Sequence, residues 1–449
     1  SSHMIHGGIR YLENGEFRLV KEAVRERNLL IRNAPHYVKP LPTVIPIFHL
    51  LSGLLNAPLK FLGLLDKPSE RGALVIRLGL MLYDAYSGNT GLVPKHEFLS
   101  KKEAHQEFPD LHQGVINAAK YYDGLLLAPE RLCIDLLLDG EKSNTKAHAI
   151  NYLPAVSSAD GIVELQDQIT GELIEIRPEV VINASGPWID LTNTKLGIDT
   201  KYIGGTKGSH LILNNPNLRV AIGNNEFFFE NADGRIVLIS PFEDKVLVGT
   251  SDLPIEDPDS ARCTEEEISY FMDMVKVVFP GIPLERDQIV FQFSGVRPLP
   301  ASDSSSPGQI SRDHKIQIIA TSDVNQFPIF NLIGGKWTSF RAFSEQVTDQ
   351  VLHELGFPRV LSTQDVAIGG GQDYPSNSDE AEIWLNNITE NSGTSLERCA
   401  VLLARYGTRA EEFIKPNSQG RETQLADLPG YSLVEVGRFF VVVWGGALE

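Results

Sequence analysis

Apolar residues recur at helical spacing in several stretches of the chain. Residues 17–34 repeat their apolar positions with a helical period and stop at Pro35, which predicts a helix ending there. A second helix is predicted for residues 73–86. A third is predicted after Thr264, because Thr264 and Glu267 have the spacing of a capping box in front of an apolar helical face.

Short β-branched runs between turn residues predict strands. Residues 179–182 predict a buried strand that leads into the tight turn 183–188. Residues 207–250 alternate apolar runs with turn residues, as in an antiparallel sheet. Residues 330–333 predict a strand that opens into a glycine turn, and residues 337–352 then return to helical spacing. Because the period changes repeatedly, we expect interleaved domains.

One apolar stretch, residues 44–65, has the length of a membrane span. Prolines and polar residues interrupt it, so a span is not favoured, and we expect one or two buried helices there. An interfacial element that contacts a membrane is the alternative. Past Gly356 the chain becomes polar, and we interpret the triple glycine at 369–371 as a linker before a helical appendage.

Composition narrows the classes of partner. The 449 residues carry 40 basic and 58 acidic side chains, and the net charge of −18 repels nucleic acid and anionic lipid over most of the surface. The cysteines, Cys133, Cys263 and Cys399, are far apart and form no C-x-x-C pair, which indicates neither a disulfide framework nor a zinc site. We therefore expect a cytoplasmic protein with no nucleic-acid partner and no metal.

Three glycine-containing turns are candidate ligand contacts. At Gly7-Gly8 the missing side chains let backbone amides approach a flat or anionic ligand. The turn 183–188 follows a strand, where parallel α/β sheets bind nucleotide phosphates. The turn Gly334-Gly335-Lys336 leads into a helix, whose free amides stabilise negative charge. Each of these turns, taken alone, is also explained as an ordinary turn. The interpretation as ligand contacts therefore depends on all of them occurring together in this order.

Polar residues near strand ends are the candidates for substrate binding and catalysis. His210 lies at a strand entrance, and Thr250 ends a hairpin strand. Arg297 and Arg312 flank one serine-rich loop and suit a phosphate dianion, which guanidinium grips with two parallel hydrogen bonds. Structural explanations exist for each residue: a satisfied histidine, a strand-end turn, or a surface ion pair.

Seven strings together resemble the FAD-dependent glycerol-3-phosphate dehydrogenase family. They are IHGGIRYLE, NASGPW, KGSH, VGTSD, SGVRPL, ISRD and GGKWTSFR, and the resemblance covers about residues 1–355. It implies an α/β fold in which an FAD-binding Rossmann-like domain is interleaved with an antiparallel-sheet substrate domain, followed by a C-terminal helical domain. We place these domains at residues 1–43, 120–195 and 305–356, at 44–119 and 196–304, and at 357–449.

The resemblance also implies a reaction, oxidation of sn-glycerol 3-phosphate to dihydroxyacetone phosphate, with hydride transfer to FAD and electrons leaving to quinone or oxygen. It implies these substrate-side residues: Arg10, Tyr11, His210, Thr250, Arg297, Arg312 and Lys336. Either His210 or Lys336 is the base that removes the hydroxyl proton. It implies these cofactor contacts: Ser1, Ser2, Gly7, Gly8, Ala184, Ser185, Gly186, Trp188, Gly334, Gly335, Lys336, Trp337 and Thr338.

The family begins with a G-x-G-x-x-G phosphate loop that this sequence does not contain, so we expect a fragment that binds FAD poorly. A homodimer and a peripheral contact with the inner face of the cytoplasmic membrane are left open. Two alternatives remain: an amine or 2-hydroxy acid oxidase of the same fold, and a flavin-free fragment that docks on membranes. The arginine set at positions 10, 297 and 312 argues against the first.

Overall fold

The computed structural model describes residues 2–12, 16–49, 73–88, 91–230, 236–301, 313–322, 325–414, 424–428 and 430–437, apart from the side chains of Arg10, Val75 and Glu230. The strands in these residues are β1 (Met4–Ile5), β2 (Val38–Ile47), β3 (Glu97–Ser100), β4 (Asn117–Leu126), β5 (Ala155–Ala159), β6 (Ile162–Gln166), β7 (Leu173–Ile176), β8 (Val181–Asn183), β9 (Thr206–Leu213), β10 (Glu226–Glu230), β11 (Ile236–Phe242), β12 (Lys245–Gly249), β13 (Leu253–Pro254), β14 (Ile289–Arg297), β15 (Lys315–Ile319) and β16 (Ile329–Ile333).

The described residues also form helices. They are α1 (Phe17–Asn33), α2 (Ala73–Ser87), α3 (Lys101–Glu107), α4 (Pro129–Ser143), α5 (Ile189–Lys195), α6 (Pro216–Ile222), α7 (Glu265–Val278), α8 (Phe340–Glu354), α9 (Ser378–Ser392), α10 (Leu396–Tyr406) and α11 (Ala410–Ile414). Helices α1, α2 and α7 confirm the periodicity, and Thr264 caps α7 in the capping box predicted with Glu267.

A 10-stranded sheet forms the largest layer in the described residues. Its strand order is β1-β4-β2-β10-β11-β12-β9-β13, with β14 also paired to β9 and β3 to β4. Because side chains alternate along a strand, Leu211 and Leu213 of β9 point to the face covered by α6 and α7, where Phe271 and Val275 complete a buried core. The residues between them point to the opposite face.

Two small sheets accompany the large one. In the sheet β15-β16-β8, strand β16 runs parallel to β8, with Asn331 opposite Asn183. Since the carboxyl ends of parallel strands meet at one edge of a sheet, the turn after β8 and the glycine turn after β16 leave the same edge. The sheet β5-β6-β7 is antiparallel and packs Val163 against Ile329 of β16.

The chain divides by packing into two units. Unit 1 consists of Ser1–Asn28, Pro40–Leu125 and Leu153–Thr363, and unit 2 of Leu29–Lys39, Leu126–Tyr152 and Gln364–Glu449. Unit 2 has its own core, built by α10 and α11, in which Glu435 accepts hydrogen bonds from Arg405 and Tyr406. This division does not separate an FAD-binding from a substrate domain, so those boundaries stay predictions.

Two local expectations are wrong. The apolar stretch 44–65 begins as strand β2 and not as a helix, and residues 50–72 lie outside the described residues. The triple glycine is a packed 3-10 turn, not an open linker, because a Cβ on Gly370 would lie 1.9 Å from the carbonyl oxygen of Tyr406. No helix among the described residues is long and apolar enough to cross a membrane.

Glu226, the first residue of β10, is a wholly buried acid within the large sheet. Burial raises the pKa of Glu226 to about 8; the charge of Asp123 adds to the rise and the Ser240 hydroxyl opposes it. Its ordinary value is 4.5. The folded protein therefore binds more protons than the unfolded chain between these two values, and this contribution to stability is lost as the pH rises through them.

We expect Glu226→Gln to flatten the pH dependence of the free energy of unfolding. Between about pH 5 and pH 8 the wild-type chain should lose up to about 1.4 kcal/mol per pH unit through this group, and the amide should lose none of it. Urea unfolding at several pH values measures the slope. Glu103→Gln, which changes an exposed carboxylate, is the control and should keep the wild-type slope. Equal slopes in Glu226→Gln and wild type would contradict the assignment.

Candidate functional site

His210 faces away from the α6 and α7 side of the large sheet. Its ring is buried and stacks on Phe293 of β14, with centroids 5.0 Å apart and an interplanar angle of 10°. Within the described part of the chain neither ring nitrogen has a hydrogen-bond partner. Burial holds the pKa of His210 well below its usual value, and the charge of Arg297 adds to this effect. The imidazole is therefore neutral at physiological pH.

Glycine on the neighbouring strand makes room for this ring. Gly249 of β12 lies opposite His210 in the sheet register, and a Cβ there would lie 2.3 Å from Cδ2 of the imidazole. Any side chain at 249 would displace the ring from its place against the sheet. The glycine of the VGTSD string is therefore a packing requirement of the histidine.

Arg297, the last residue of β14, lies on the same face. Its Nη2 donates to Thr250 Oγ1 at 2.9 Å and to the Ser251 carbonyl oxygen at 3.0 Å, and its Nη1 donates to Asp252 Oδ1 at 3.2 Å. The guanidinium lies over Gly208, where a Cβ would be 2.2 Å from Nη2. These contacts fix one cation beside the neutral His210.

Two of the predicted turns lie side by side. Lys336 Nζ lies 5.0 Å from the ring centroid of Tyr11, in cation–π geometry. Thr338 Oγ1 donates to the His6 carbonyl oxygen at 3.0 Å. Gly8 has a φ of 77°, and a Cβ there would lie 2.4 Å from the Tyr11 ring. These contacts join the Gly7-Gly8 turn to the turn at residues 334–338, which lies at least 326 positions later in the chain.

The third predicted turn, residues 184–188, follows β8. Ser185 Oγ donates to Asn183 Oδ1 at 2.6 Å, and Trp188 Nε1 donates to Asp259 at 2.9 Å. Gly186 in this turn has a φ of 62°, and Gly334-Gly335 after β16 have φ values of 80° and 94°. Left-handed backbone of this kind exposes amides that a side chain would otherwise cover. Both turns leave the same edge of their sheet.

The remaining predicted residues are placed only in part. Ser1 and Arg312 lie outside the described residues, and for Arg10 the backbone alone is described, in the 3-10 turn Ile9–Leu12. Ser2 is half-buried before β1, and Ala184 is exposed. The His3 ring packs edge-on against Phe242 of β11, with centroids 5.6 Å apart, and its charge is the smallest of the named causes that lower the pKa of His210.

A buried ionic cluster holds the amide of Gly7. Gly7 N donates to Tyr83 Oη at 2.8 Å and to Asp123 Oδ1 at 3.0 Å. Arg27, which is fully buried, donates to the same Asp123 oxygen at 3.1 Å and to Ser87 Oγ at 2.7 Å. This cluster was not predicted from the sequence. A charged residue inside the amphipathic pattern of α1 gives a weak signal, and apart from the adjacent Asn28 its partners are 56 to 96 positions away.

The amino-acid sequence matches a known protein family and is similar to proteins of known activity. The family described as FAD dependent oxidoreductase matches residues 1–317. A glycerol-3-phosphate dehydrogenase of Synechocystis sp. is 31% identical over 92% of this chain and 73% of its own length. A D-erythritol 1-phosphate dehydrogenase of Brucella abortus is also 31% identical, over 83% of this chain and 69% of its own.

The chain belongs to the FAD-dependent oxidoreductase family, in its glycerol-3-phosphate dehydrogenase group. It is an FAD-dependent oxidoreductase, and the expected fold class is confirmed. A structure of the glycerol-3-phosphate dehydrogenase from Bacillus halodurans complexed with FAD aligns with a TM-score of 0.69 at 20% identity, covering 98% of this chain and 74% of that one.

The residues present fit the cofactor of this family. Gly8, Gly186 and Gly335 have left-handed backbone of the kind that lets a flat ring system or an anionic group approach the chain closely, while the Gly334 amide donates to the Pro298 carbonyl oxygen at 3.0 Å. The ammonium of Lys336 adds a positive charge beside these turns. FAD contacts by this oxidoreductase would therefore come from the three glycine turns together.

We expect Asp123→Ala to lower the free energy of unfolding by about 3–5 kcal/mol, because Arg27 would remain buried without its partner. The double variant Arg27→Met/Asp123→Leu should recover most of this loss. Urea denaturation measures both. Asp273→Ala breaks the exposed ion pair with Lys276 and should cost at most about 1 kcal/mol. A loss in Asp123→Ala as small as that of this control would contradict a stabilising role for the buried pair.

Proposed function

We propose that this oxidoreductase converts sn-glycerol 3-phosphate to dihydroxyacetone phosphate and passes the electrons to quinone or oxygen. One observation supports it above others: Arg297 and the neutral His210 share one face of β9 and its neighbour β14. A phosphorylated secondary alcohol needs a fixed cation for its phosphate and a base for its hydroxyl, and these two residues are of those types.

Arg297 supports phosphate recognition in this proposal. Its guanidinium is half-buried and already oriented by Thr250 and Asp252, so little side-chain freedom would be lost when an anion binds. The Asp252 carboxylate balances the cation before substrate arrives. The overall charge of −18 would otherwise disfavour a dianion, so attraction has to be local.

His210 supports proton removal. Oxidation of the alcohol takes a hydride from carbon C2 and a proton from its hydroxyl, and a neutral imidazole whose nitrogens make no hydrogen bond within the described residues accepts the proton. FAD, when bound, accepts the hydride. Lys336, beside Tyr11, would stabilise negative charge that develops at the substrate oxygen. We therefore assign the base to His210 and the electrostatic role to Lys336.

The phosphate is the feature that distinguishes this proposal from the oxidation of amines or 2-hydroxy acids. A carboxylate substrate requires one arginine, whereas a phosphate offers three oxygens to a cation and neighbouring hydroxyls. Thr250 places a hydroxyl beside this cation; its oxygen accepts from Arg297 Nη2 at 2.9 Å and its proton is donated to the Ser251 carbonyl oxygen at 3.2 Å. Because one arginine would also serve a carboxylate, the preference for phosphorylated polyols is supported by the two relatives of 31% identity, whose names specify phosphorylated polyols.

We expect the purified chain, supplied with FAD and kept free of air, to lose its visible flavin absorption when sn-glycerol 3-phosphate is added. Glycerol at the same concentration should leave the spectrum unchanged, because it lacks the phosphate. D-Erythritol 1-phosphate, compared in parallel, measures how far the longer polyol is accepted. Bleaching by glycerol alone, or by an amino acid and not by the phosphate, would contradict the proposal.

Arg297→Ala should raise KM for sn-glycerol 3-phosphate about 10- to 100-fold, since hydrogen bonds to a charged group contribute about 1.5–3 kcal/mol. Steady-state kinetics with an artificial electron acceptor measures this change. Arg286→Ala, which removes an exposed arginine from the ion pair with Glu265, should leave KM unchanged and serves as the control. An unchanged KM in Arg297→Ala would exclude that arginine from phosphate binding.

A further inference from the structure

Strand β9 presents different residues on its two faces. Gly208 and His210 face the candidate site, and Gly208 lies beneath the guanidinium of Arg297. Lys207 and Ser209 alternate with them and face the opposite side of the sheet. Both of these rear residues are buried. Polar side chains on the buried rear of a strand require partners there.

The segment after β12 repeats this pattern. Thr250 and Asp252 bind Arg297 on the site face, and Ser251 between them is fully buried. Ser251 Oγ accepts a hydrogen bond from the Ser209 backbone amide at 2.9 Å. The Ser251 side chain is therefore joined directly to the backbone of β9 behind the site.

One carboxylate collects all of these rear groups. Glu267 Oε1 accepts from Ser209 Oγ at 2.8 Å and from Ser251 Oγ, and Oε2 accepts from Lys207 Nζ at 2.8 Å and from the Thr264 amide at 2.9 Å. Glu267 is itself buried in the first turn of α7. Each carboxylate oxygen thus binds two donors, and three of the four donors belong to segments that carry site residues.

The charge state of Glu267 is fixed by these contacts. Burial alone would raise its pKa, but the hydrogen bonds from Lys207 and Ser251 outweigh burial and hold the pKa below the usual value. The carboxylate is ionised and paired with the ammonium of Lys207. Hydrogen bonds to an ionised acceptor are shorter and stronger than neutral ones, so the rear of both segments is tightly fixed.

We propose that Glu267 is a positioning residue, which sets the place of Arg297 and Thr250 relative to His210 by anchoring β9 and the segment 250–252 from behind. This role rests on the proposed function, because it concerns the grip on the phosphate. A capping box alone would need only the contacts with Thr264. The carboxylate makes those contacts and in addition reaches three side chains 16 to 60 positions away in sequence.

Ser251→Ala tests the role without unpairing the buried charges. It removes the hydrogen bond between Ser251 Oγ and Glu267. Thr250 and Asp252, which flank Ser251 and orient Arg297, should then be held less firmly, so the guanidinium should lose its fixed position. We expect about tenfold weaker binding of sn-glycerol 3-phosphate, measured by isothermal titration calorimetry on the full chain, and a similar rise in KM with little change in kcat. A defect of folding alone would lower the active fraction, and hence apparent kcat, while leaving both Kd and KM unchanged.

Ser100→Ala is the matched control. It removes a serine hydroxyl from another capping box of unit 1, that of Ser100 with Glu103 at the start of α3, so it should alter only the melting temperature. If Ser251→Ala fails to fold, Ser209→Ala removes the other serine anchor and carries the same expectation. Unchanged Kd and KM in the serine variant that folds would overturn the positioning role.

The wild-type titration separates this role from the proposed function. Binding of sn-glycerol 3-phosphate by wild type, with unchanged binding by the variants, would overturn the role of Glu267 alone. Failure of the wild-type chain to bind the phosphate would overturn the proposed function and the positioning role together. Weakened binding in Ser251→Ala beside normal binding in Ser100→Ala supports both.

Discussion

The buried strand β9 has to satisfy two environments, and the arrangement of the site depends on how it does so. All eight of its residues are buried. Period-two alternation sends Lys207 and Ser209 to one face and Gly208 and His210 to the other. The rear face demands hydrogen-bond partners for its polar groups, and Glu267 supplies them. The site face needs space, which glycine supplies. The same alternation therefore separates the residues that hold the strand from those that it presents.

Buried ion pairs fix two separate parts of unit 1. Lys207 pairs with Glu267 behind the His210 cluster, and Arg27 pairs with Asp123 behind the turn at Gly7. Removing charges from water costs much of what their attraction returns, so such pairs contribute less to stability than to the definition of a geometry. Each carboxylate here also accepts hydrogen bonds from groups other than its cation. That is consistent with positioning: a pair that only neutralised charge would not need to reach a backbone amide or two serine hydroxyls.

Sequence reasoning predicted what is encoded locally. The helix α7 and its capping box were predicted because both depend on residues within one turn, and the strands β11 and β12 because alternation and turn residues lie together. The other function of Glu267 was not predictable, since Ser209 is 58 positions away and no local pattern marks the contact. Residues 44–47 were assigned wrongly because a buried strand and a buried helix are equally apolar, and only pairing with β10 shows which one forms. Arg27 was missed because a charge on an amphipathic helix is normally solvated.

The two strings KGSH and VGTSD are better understood as alternating anchors and presented residues than as sets of ligand contacts. In the first, lysine and serine bind Glu267 and glycine underlies Arg297, while the ring nitrogens of His210, on the site face, make no hydrogen bond within the described residues. In the second, glycine admits the imidazole, Ser251 binds Glu267, and the two residues around it orient the guanidinium. A scheme in which every residue of these strings contacts substrate would assign binding or catalytic roles to residues that support the strands. The spacing of both strings follows from the sheet, because residues of one face recur at every second position. Residues that face the substrate must therefore be separated by residues that face the rear, and those need hydrogen-bond partners behind the sheet.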